Sequence, residues 1–147
     1  MATDPGPNAE ANLRKYVDDA WEPVSAIGLL SGASRARLHF TTDMKEAAAS
    51  ADFVQENTPE RPDFKIKLFA DLDDATPPDS IIASSSSGIT MDVIQSGCKR
   101  PERCVIGHPF NPHIIPLVEV VGGAKTSEET IERAIEFYAA IGKVPTK

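Results

Sequence analysis

Positive charge is in short supply in this sequence. Its 147 residues carry 15 Lys and Arg against 22 Asp and Glu, a net charge of −7. Nucleic acid asks for a basic face, so that class of partner is excluded. Long apolar runs are missing too, and none approaches the ~20 residues that a membrane span needs. The opening Met-Ala-Thr-Asp-Pro-Gly-Pro has neither the basic n-region nor the apolar h-region of a secretory signal. Cysteine occurs twice, at Cys98 and Cys104, in neither a Cys-x-x-Cys pair nor a disulfide framework. Two reduced thiols in a cytosolic, cytoplasmic protein follow from that. The nine glycines are scattered. No Gly-x-Gly-x-x-Gly occurs, so the sequence has no loop of the kind that cradles a pyrophosphate on a helix N-terminus. Metal-ligand spacing, internal repeats and low-complexity tails are absent as well.

What is present reads as one soluble domain, 41% hydrophobic and 25% charged, with enough apolar material for a core. Asp4-Pro5-Gly6-Pro7 is a turn signal. Leu13, Val17, Ala20, Trp21, Val24 and Ile27 then recur at helical steps, with Pro23 set to kink the helix. Leu38 to Thr41 reads as a short strand, Asp43 to Ser50 as a small helix, and Asp52 to Glu56 as a strand. A helix from Asp63 to Ala75 should bury Phe64, Leu68, Phe69 and Leu72. Ile81 to Ala83 is a short strand that runs into Ser84-Ser85-Ser86-Ser87-Gly88, ahead of a small helix from Thr90 to Gln95. A serine run is usually a linker. At the carboxyl end of an apolar strand, however, it stands where an α/β sheet binds ligands. The last helix should begin on a capping box of Thr126 and Glu129 and run to Ile141. Strands alternating with helices predict an α/β fold with a mostly parallel sheet and flanking helices.

The chain is organised around Cys104-Val105-Ile106-Gly107-His108-Pro109-Phe110-Asn111-Pro112, with Leu117-Val118-Glu119-Val120-Val121 behind it. Cys104 to Ile106 and Leu117 to Val121 read as strands. The loop between them holds a histidine where an α/β protein places chemistry. Glu119, the only charge in the second strand, is the natural partner that would fix the tautomer of His108. On residue type alone, a structural histidine and a solvent-facing glutamate is the commoner arrangement. The wording of the whole stretch argues otherwise.

Gly-His-Pro-Phe-Asn-Pro followed by Pro-Leu-Val-Glu-Val-Val resembles the 3-hydroxyacyl-CoA dehydrogenase family. Proline after His108 resembles the family's λ-crystallin, L-gulonate dehydrogenase and L-carnitine dehydrogenase branch. The resemblance extends over nearly the entire chain. It implies that residues 1–147 are a partial NAD-binding and catalytic domain, Rossmann-like but lacking the first β-strand, glycine-rich loop and first helix, and without the family's carboxyl-terminal helical domain.

The resemblance also implies roles. NAD would be the cofactor, with Asp4 on its adenosine ribose and Glu60, Lys65, Ser85, Ser87 and Asn111 facing it. Ser85 departs from the asparagine that many members carry. His108 would be the general base for oxidation of the 3-hydroxyl of a 3-hydroxyacyl-CoA or small 3-hydroxy acid, oriented by Glu119. Ser87, 21 residues before His108, and Asn111 would hydrogen-bond the reacting oxygen and the nicotinamide. The expected partner is a small-molecule substrate, with fatty acid metabolism as the setting, and full-length members are expected to be homodimers. No metal is implied. The alternative is a non-catalytic, NAD-binding or scaffold remnant in the manner of an enzyme recruited as a crystallin. Where this branch reads Asn-Pro-Pro-His, Asn111-Pro112-His113 is one residue shorter. A one-residue slip would turn Glu119 to the wrong face, so the loop is expected to absorb it.

Overall fold

The computed structural model describes residues 1–110 and 115–147, which divide into two compact units, 1–47 and 48–147. In the first unit, β1 (Ala2–Thr3) pairs in parallel with β2 (Phe40–Thr41). Between them runs α1 (Ala9–Ile27). Its predicted apolar stripe is real: Leu13, Val17, Ala20, Trp21 and Val24 are half-buried, while Ile27 is exposed. Pro23 lies inside the helix. Gly28 ends it at φ 117°, a backbone angle that costs glycine little and an L side chain much. A short helix, α2 (Met44–Ala48), leads out of this unit.

The second unit contains β3 (Phe53–Glu56), α3 (Pro62–Ala75), β4 (Ile81–Ser84), α4 (Met91–Ile94), β5 (Cys104–Pro109), β6 (Leu117–Val121), α5 (Glu128–Ala140) and β7 (Val144–Thr146). Its sheet has the order β3-β4-β5-β6-β7. Only the β5–β6 pairing is antiparallel; the other three are parallel. This is the α/β, mostly parallel sheet that the strand and helix alternation predicts. All four residues of β4 are buried, as expected of a strand covered on both faces. Ile81, Ala83, Val105, Val118 and Val120 pack against Ile131, Ala134 and Tyr138 of α5 to form the core.

Three local expectations are corrected. First, β5 does not stop at Ile106; it continues through His108, because β6 offers a ladder partner to each residue up to Pro109. Second, the cap of α5 is Ser127, whose side chain accepts from the Thr130 amide at 3.1 Å. Thr126 is taken by a tertiary contact instead, donating to the Cys104 carbonyl at 2.7 Å and accepting from the Gly123 amide at 2.9 Å. Third, the buried face of α3 is Lys65, Phe69, Leu72 and Asp73, and Phe64 is exposed. Hydrophobic periodicity found Phe69 and Leu72 but not the other two members of this face, because those are charged.

Each of those charges is buried against an opposite one. Asp73 accepts from Arg103 Nε at 3.0 Å and Nη2 at 2.7 Å, and from the amides of Lys99 and Arg100 at 2.7 and 3.0 Å. Burial works to raise the Asp73 carboxyl, but those hydrogen bonds outweigh it and hold the group below its ordinary value. A depressed carboxyl stabilises the fold fully above its unfolded pKa of about 3.9, and that stabilisation fades as pH falls through the lower folded value. Asp73→Asn should therefore destabilise the chain at pH 7 by about 3–5 kcal/mol, the cost of stranding a buried guanidinium. It should also flatten the loss of stability below about pH 4. Urea unfolding followed from pH 7 to pH 2 measures both effects, and equal slopes in the two proteins would count against the assignment.

Candidate active site

The site begins with strand register. His108 stands directly opposite Glu119 across the β5–β6 ladder, beside Gly107↔Val120 and Pro109↔Val118. Val118 and Val120 are buried and pack toward α5, so alternation turns Glu119 and His108 to the other face of the sheet. Pro112 and the shortened loop lie outside the described residues, as does Asn111; Glu119 nonetheless keeps the face of His108. The imidazole Nδ1 lies 3.4 Å from Glu119 Oε2. It is buried and makes no hydrogen bond among the described residues. The pair is thus within ionic reach but not aligned as a hydrogen bond. The Glu119 side chain is 48% exposed, so a modest rotation is open to it. Phe110 packs its ring edgewise on the imidazole, 5.1 Å between centroids.

The serine run is not a linker. Ser84 Oγ donates to Glu56 Oε2 at 2.6 Å, and Ser86 Oγ donates to Glu60 Oε1 at 2.6 Å. The amides of Ser87 and Gly88 also donate to Glu60 Oε1, at 3.1 and 2.9 Å. Two carboxylates thus hold the loop from below, while Ser87 is exposed and its hydroxyl has no hydrogen bond among the described residues. Burial pushes the Glu60 carboxyl up, but the Ser86 hydroxyl, the Gly88 amide and the nearby Lys65 charge leave it below its ordinary value.

Lys65 is not a surface lysine. Its ammonium donates to Glu56 Oε1 and Oε2 at 2.8 and 2.9 Å and to the Thr58 carbonyl at 3.2 Å, with Glu60 Oε2 3.6 Å away. Both Lys65 and Glu56 side chains are 1% exposed. Glu56 also accepts from the Thr58 amide and hydroxyl. Asp4, in the other unit, is exposed and accepts from the Gly6 amide at 2.7 Å through Oδ1, the turn that its Pro-Gly sequence predicts.

Sequence reasoning did not single out Gln55, Glu56 or Tyr138. The Tyr138 hydroxyl donates to Gln55 Oε1 at 2.5 Å. Gln55 Nε2 donates to Ser85 Oγ at 2.7 Å and to the Gly107 carbonyl at 3.0 Å. Ser85 Oγ donates on to Asn57 Oδ1 at 2.7 Å. Because β4 leaves the ladder at Ser84, paired with Ile106, the Gly107 carbonyl takes its partner from a side chain. A polar Gln-Glu pair closing an apolar strand at the carboxyl end of a sheet was the available signal. Gly107 has no room for a side chain: a Cβ there would sit 1.9 Å from the Tyr138 hydroxyl. No group of three or more His, Cys, Asp or Glu that could hold a metal occurs among the described residues. No helix among them is long and apolar enough to cross a membrane.

This arrangement has relatives. The sequence profile described as the 3-hydroxyacyl-CoA dehydrogenase, NAD binding domain, matches residues 2–147. The chain belongs to that family. NAD is the family's cofactor. An L-carnitine dehydrogenase of Bacillus cereus is 46% identical over 146 residues, 99% of this chain and 45% of that protein. Another, of Nocardiopsis dassonvillei, is 49% identical over 144 residues, 97% of this chain and 44% of that protein. Among solved structures, an NAD+-dependent 5-formyl-3-hydroxy-2-methylpyridine 4-carboxylic acid 5-dehydrogenase superposes with a TM-score of 0.90 at 35% identity, covering 99% of this chain and 48% of that one. The 3-hydroxybutyryl-CoA dehydrogenase of Escherichia coli superposes with a TM-score of 0.87 at 32% identity, covering 97% of this chain and 31% of that one. The chain thus spans about half the length of the curated relatives it matches.

The fold of the second unit leans on the Glu56–Lys65 pair. Lys65→Met keeps the volume and strands a buried carboxylate that Ser84 and Thr58 alone must satisfy. It should cost about 3–5 kcal/mol, read as a fall in the urea midpoint at unchanged m-value. A loss below about 1 kcal/mol would mean that Glu56 is adequately held without the lysine.

Proposed function

We propose that this chain is the NAD-binding and catalytic part of a dehydrogenase that oxidises the secondary hydroxyl of a 3-hydroxy acid, with L-carnitine or a 3-hydroxyacyl-CoA as the candidate substrate. The observation that carries the reading is the cross-strand pair His108–Glu119, with a buried, unsatisfied Nδ1 3.4 Å from a carboxylate. The names of the L-carnitine dehydrogenase relatives favour the smaller substrate. The two free thiols support a reducing, cytosolic setting.

The residues of the second unit fit NAD at its nicotinamide end. Ser87 offers a hydroxyl with no hydrogen bond among the described residues, Ser85 is oriented by Gln55 and Asn57, and Asp4, in the first unit, is exposed with Oδ1 on the Gly6 amide. The sequence provides no glycine-rich cradle for the pyrophosphate. When bound, NAD supplies the hydride acceptor. The chain's own residues do the proton work. His108 takes the hydroxyl proton on the ring nitrogen distal to Glu119, and the carboxylate fixes the imidazole so that this nitrogen carries the lone pair. Ser87, with Asn111 outside the described residues, would hydrogen-bond the reacting oxygen and the nicotinamide amide. Glu60 and Lys65 act from beneath, holding the serine loop in place for Ser87.

Reduced-nicotinamide absorbance with NAD and L-carnitine, or with 3-hydroxybutyryl-CoA, tests the reading. Glu119→Gln should lower kcat by roughly a hundredfold with KM little changed, the scale of one acid–base contribution. A Gln variant as fast as the parent would remove Glu119 from the mechanism, and a parent that transfers no hydride would favour the scaffold reading. A carboxylate at Asp4 accepts from a ribose diol and repels a 2′-phosphate. Asp4→Ala should therefore weaken NAD more than NADP in titrations followed by nicotinamide fluorescence. Equal losses on both would leave Asp4 as a turn residue only.

A further inference from the structure

The proposed chemistry uses neither cysteine, yet the fold brings them together. Cys104 is the first residue of β5, fully buried and registered against Ile82 of β4. Cys98 follows the 3-10 turn Gln95–Gly97 and is partly accessible. Their sulfur atoms are 3.8 Å apart, with the Cys104 thiol directed at Cys98 Sγ.

That approach is enforced from both sides. Gly97, the residue before Cys98, lies against α3, where an added Cβ would meet the Ile66 side chain at 3.1 Å and its carbonyl at 3.2 Å. The segment between the cysteines, Lys99 to Arg103, is fastened to the single buried carboxylate of Asp73 by two amides and a guanidinium. The Cys98 amide also bonds the Gln95 carbonyl at 3.0 Å. Neither cysteine can drift far from the other while these contacts hold.

We propose that Cys98 and Cys104 are a redox-active dithiol, converted by a hydroperoxide to an intramolecular disulfide. The two sulfur atoms have to close from 3.8 Å to the ~2.05 Å of an S–S bond. Cys98 is the attacking sulfur: it is the accessible one, and the hydrogen bond it receives from Cys104 lowers its pKa, outweighing burial. The same contact, with burial behind it, pushes the Cys104 thiol up, so it resolves rather than attacks. In the first step the Cys98 thiolate forms a bond to one peroxide oxygen. The O–O bond breaks, and the leaving oxygen takes up a proton. Sulfur is oxidised by two electrons and the peroxide is reduced. In the second step Cys104 Sγ attacks the Cys98 sulfur, its thiol proton passes to the departing hydroxyl, the S–O bond breaks, and water leaves. Two thiols and one hydrogen peroxide give one disulfide and two waters. Disulfides in cytosolic proteins, where they occur, are mostly of this transient kind.

The test treats the native chain with hydrogen peroxide, then alkylates free thiols and maps the peptides. The expected product is a Cys98–Cys104 linked peptide, lighter by two hydrogens and restored by a reductant. In Cys104→Ser, Cys98 should stop as a sulfenic acid that dimedone captures. In Cys98→Ser, oxidation of Cys104 should fall by about tenfold or more, since the buried thiol is no longer reached through its neighbour. Circular dichroism checks that both variants fold. If either does not, the wild-type map decides alone, the linked peptide supporting the pair and its absence overturning it. Disulfides between chains, a Cys98 sulfenic acid that persists in the wild type, or unchanged Cys104 oxidation in Cys98→Ser would each overturn the proposal.

Discussion

One buried carboxylate organises the candidate site. Glu56 ends β3, and it accepts from the first turn of α3 through Lys65, from the end of β4 through Ser84, and from its own loop through Thr58. A charge out of water is costly unless its lone pairs are filled. Three separate segments therefore converge on this one side chain. The serine loop inherits its position from that requirement, with Glu60, in the loop after β3, as a second anchor.

Asp73 does the equivalent at the far end of α3. A cation in the first turn and an anion in the last oppose the helix macrodipole, each at a cost of about 0.3–1 kcal/mol. Lys65 and Asp73 are thus not there to stabilise α3; they are there because the helix delivers them to buried partners on neighbouring segments. The helix acts as a bar with an ionic fastening at each end. One fastening holds the loop after β4, and the other holds the segment that enters β5.

Much of this was legible in the sequence and some was not, for definable reasons. Apolar periodicity located α1, the end of α5 was placed within a residue, and the Asp4-Pro5-Gly6-Pro7 signal located the turn ahead of α1. The histidine and its glutamate were legible because strand alternation places Val118 and Val120 in the core and leaves Glu119 one choice of face. Only the apolar half of the buried face of α3, Phe69 and Leu72, was legible, since periodicity treats Lys65 and Asp73 as solvent-facing and carries no sign of their partners Glu56 and Arg103. The role of Gln55 was hidden for a related reason. Its three partners, Ser85, Gly107 and Tyr138, lie 30, 52 and 83 residues away, and no local signal reports contacts at such range. Thr126 misled because a cap and a tertiary acceptor competed for one hydroxyl, and the tertiary one won.

The close approach of Gly107 to Tyr138 constrains how the molecule can change over generations. Removing only the hydroxyl of Tyr138 would leave its ring carbon Cζ 2.7 Å from any new Cβ at position 107, still too near for an ordinary contact. Phenylalanine is therefore no stepping stone, because the ring itself would have to go or be displaced. Gly107 precedes the histidine and Tyr138 lies in the core, so the two positions are tied as a pair in which neither can move first without penalty. Drift at the surface of α5 is unrestricted by this, while drift along the strand that carries His108 is held by an aromatic residue on the far side of the sheet.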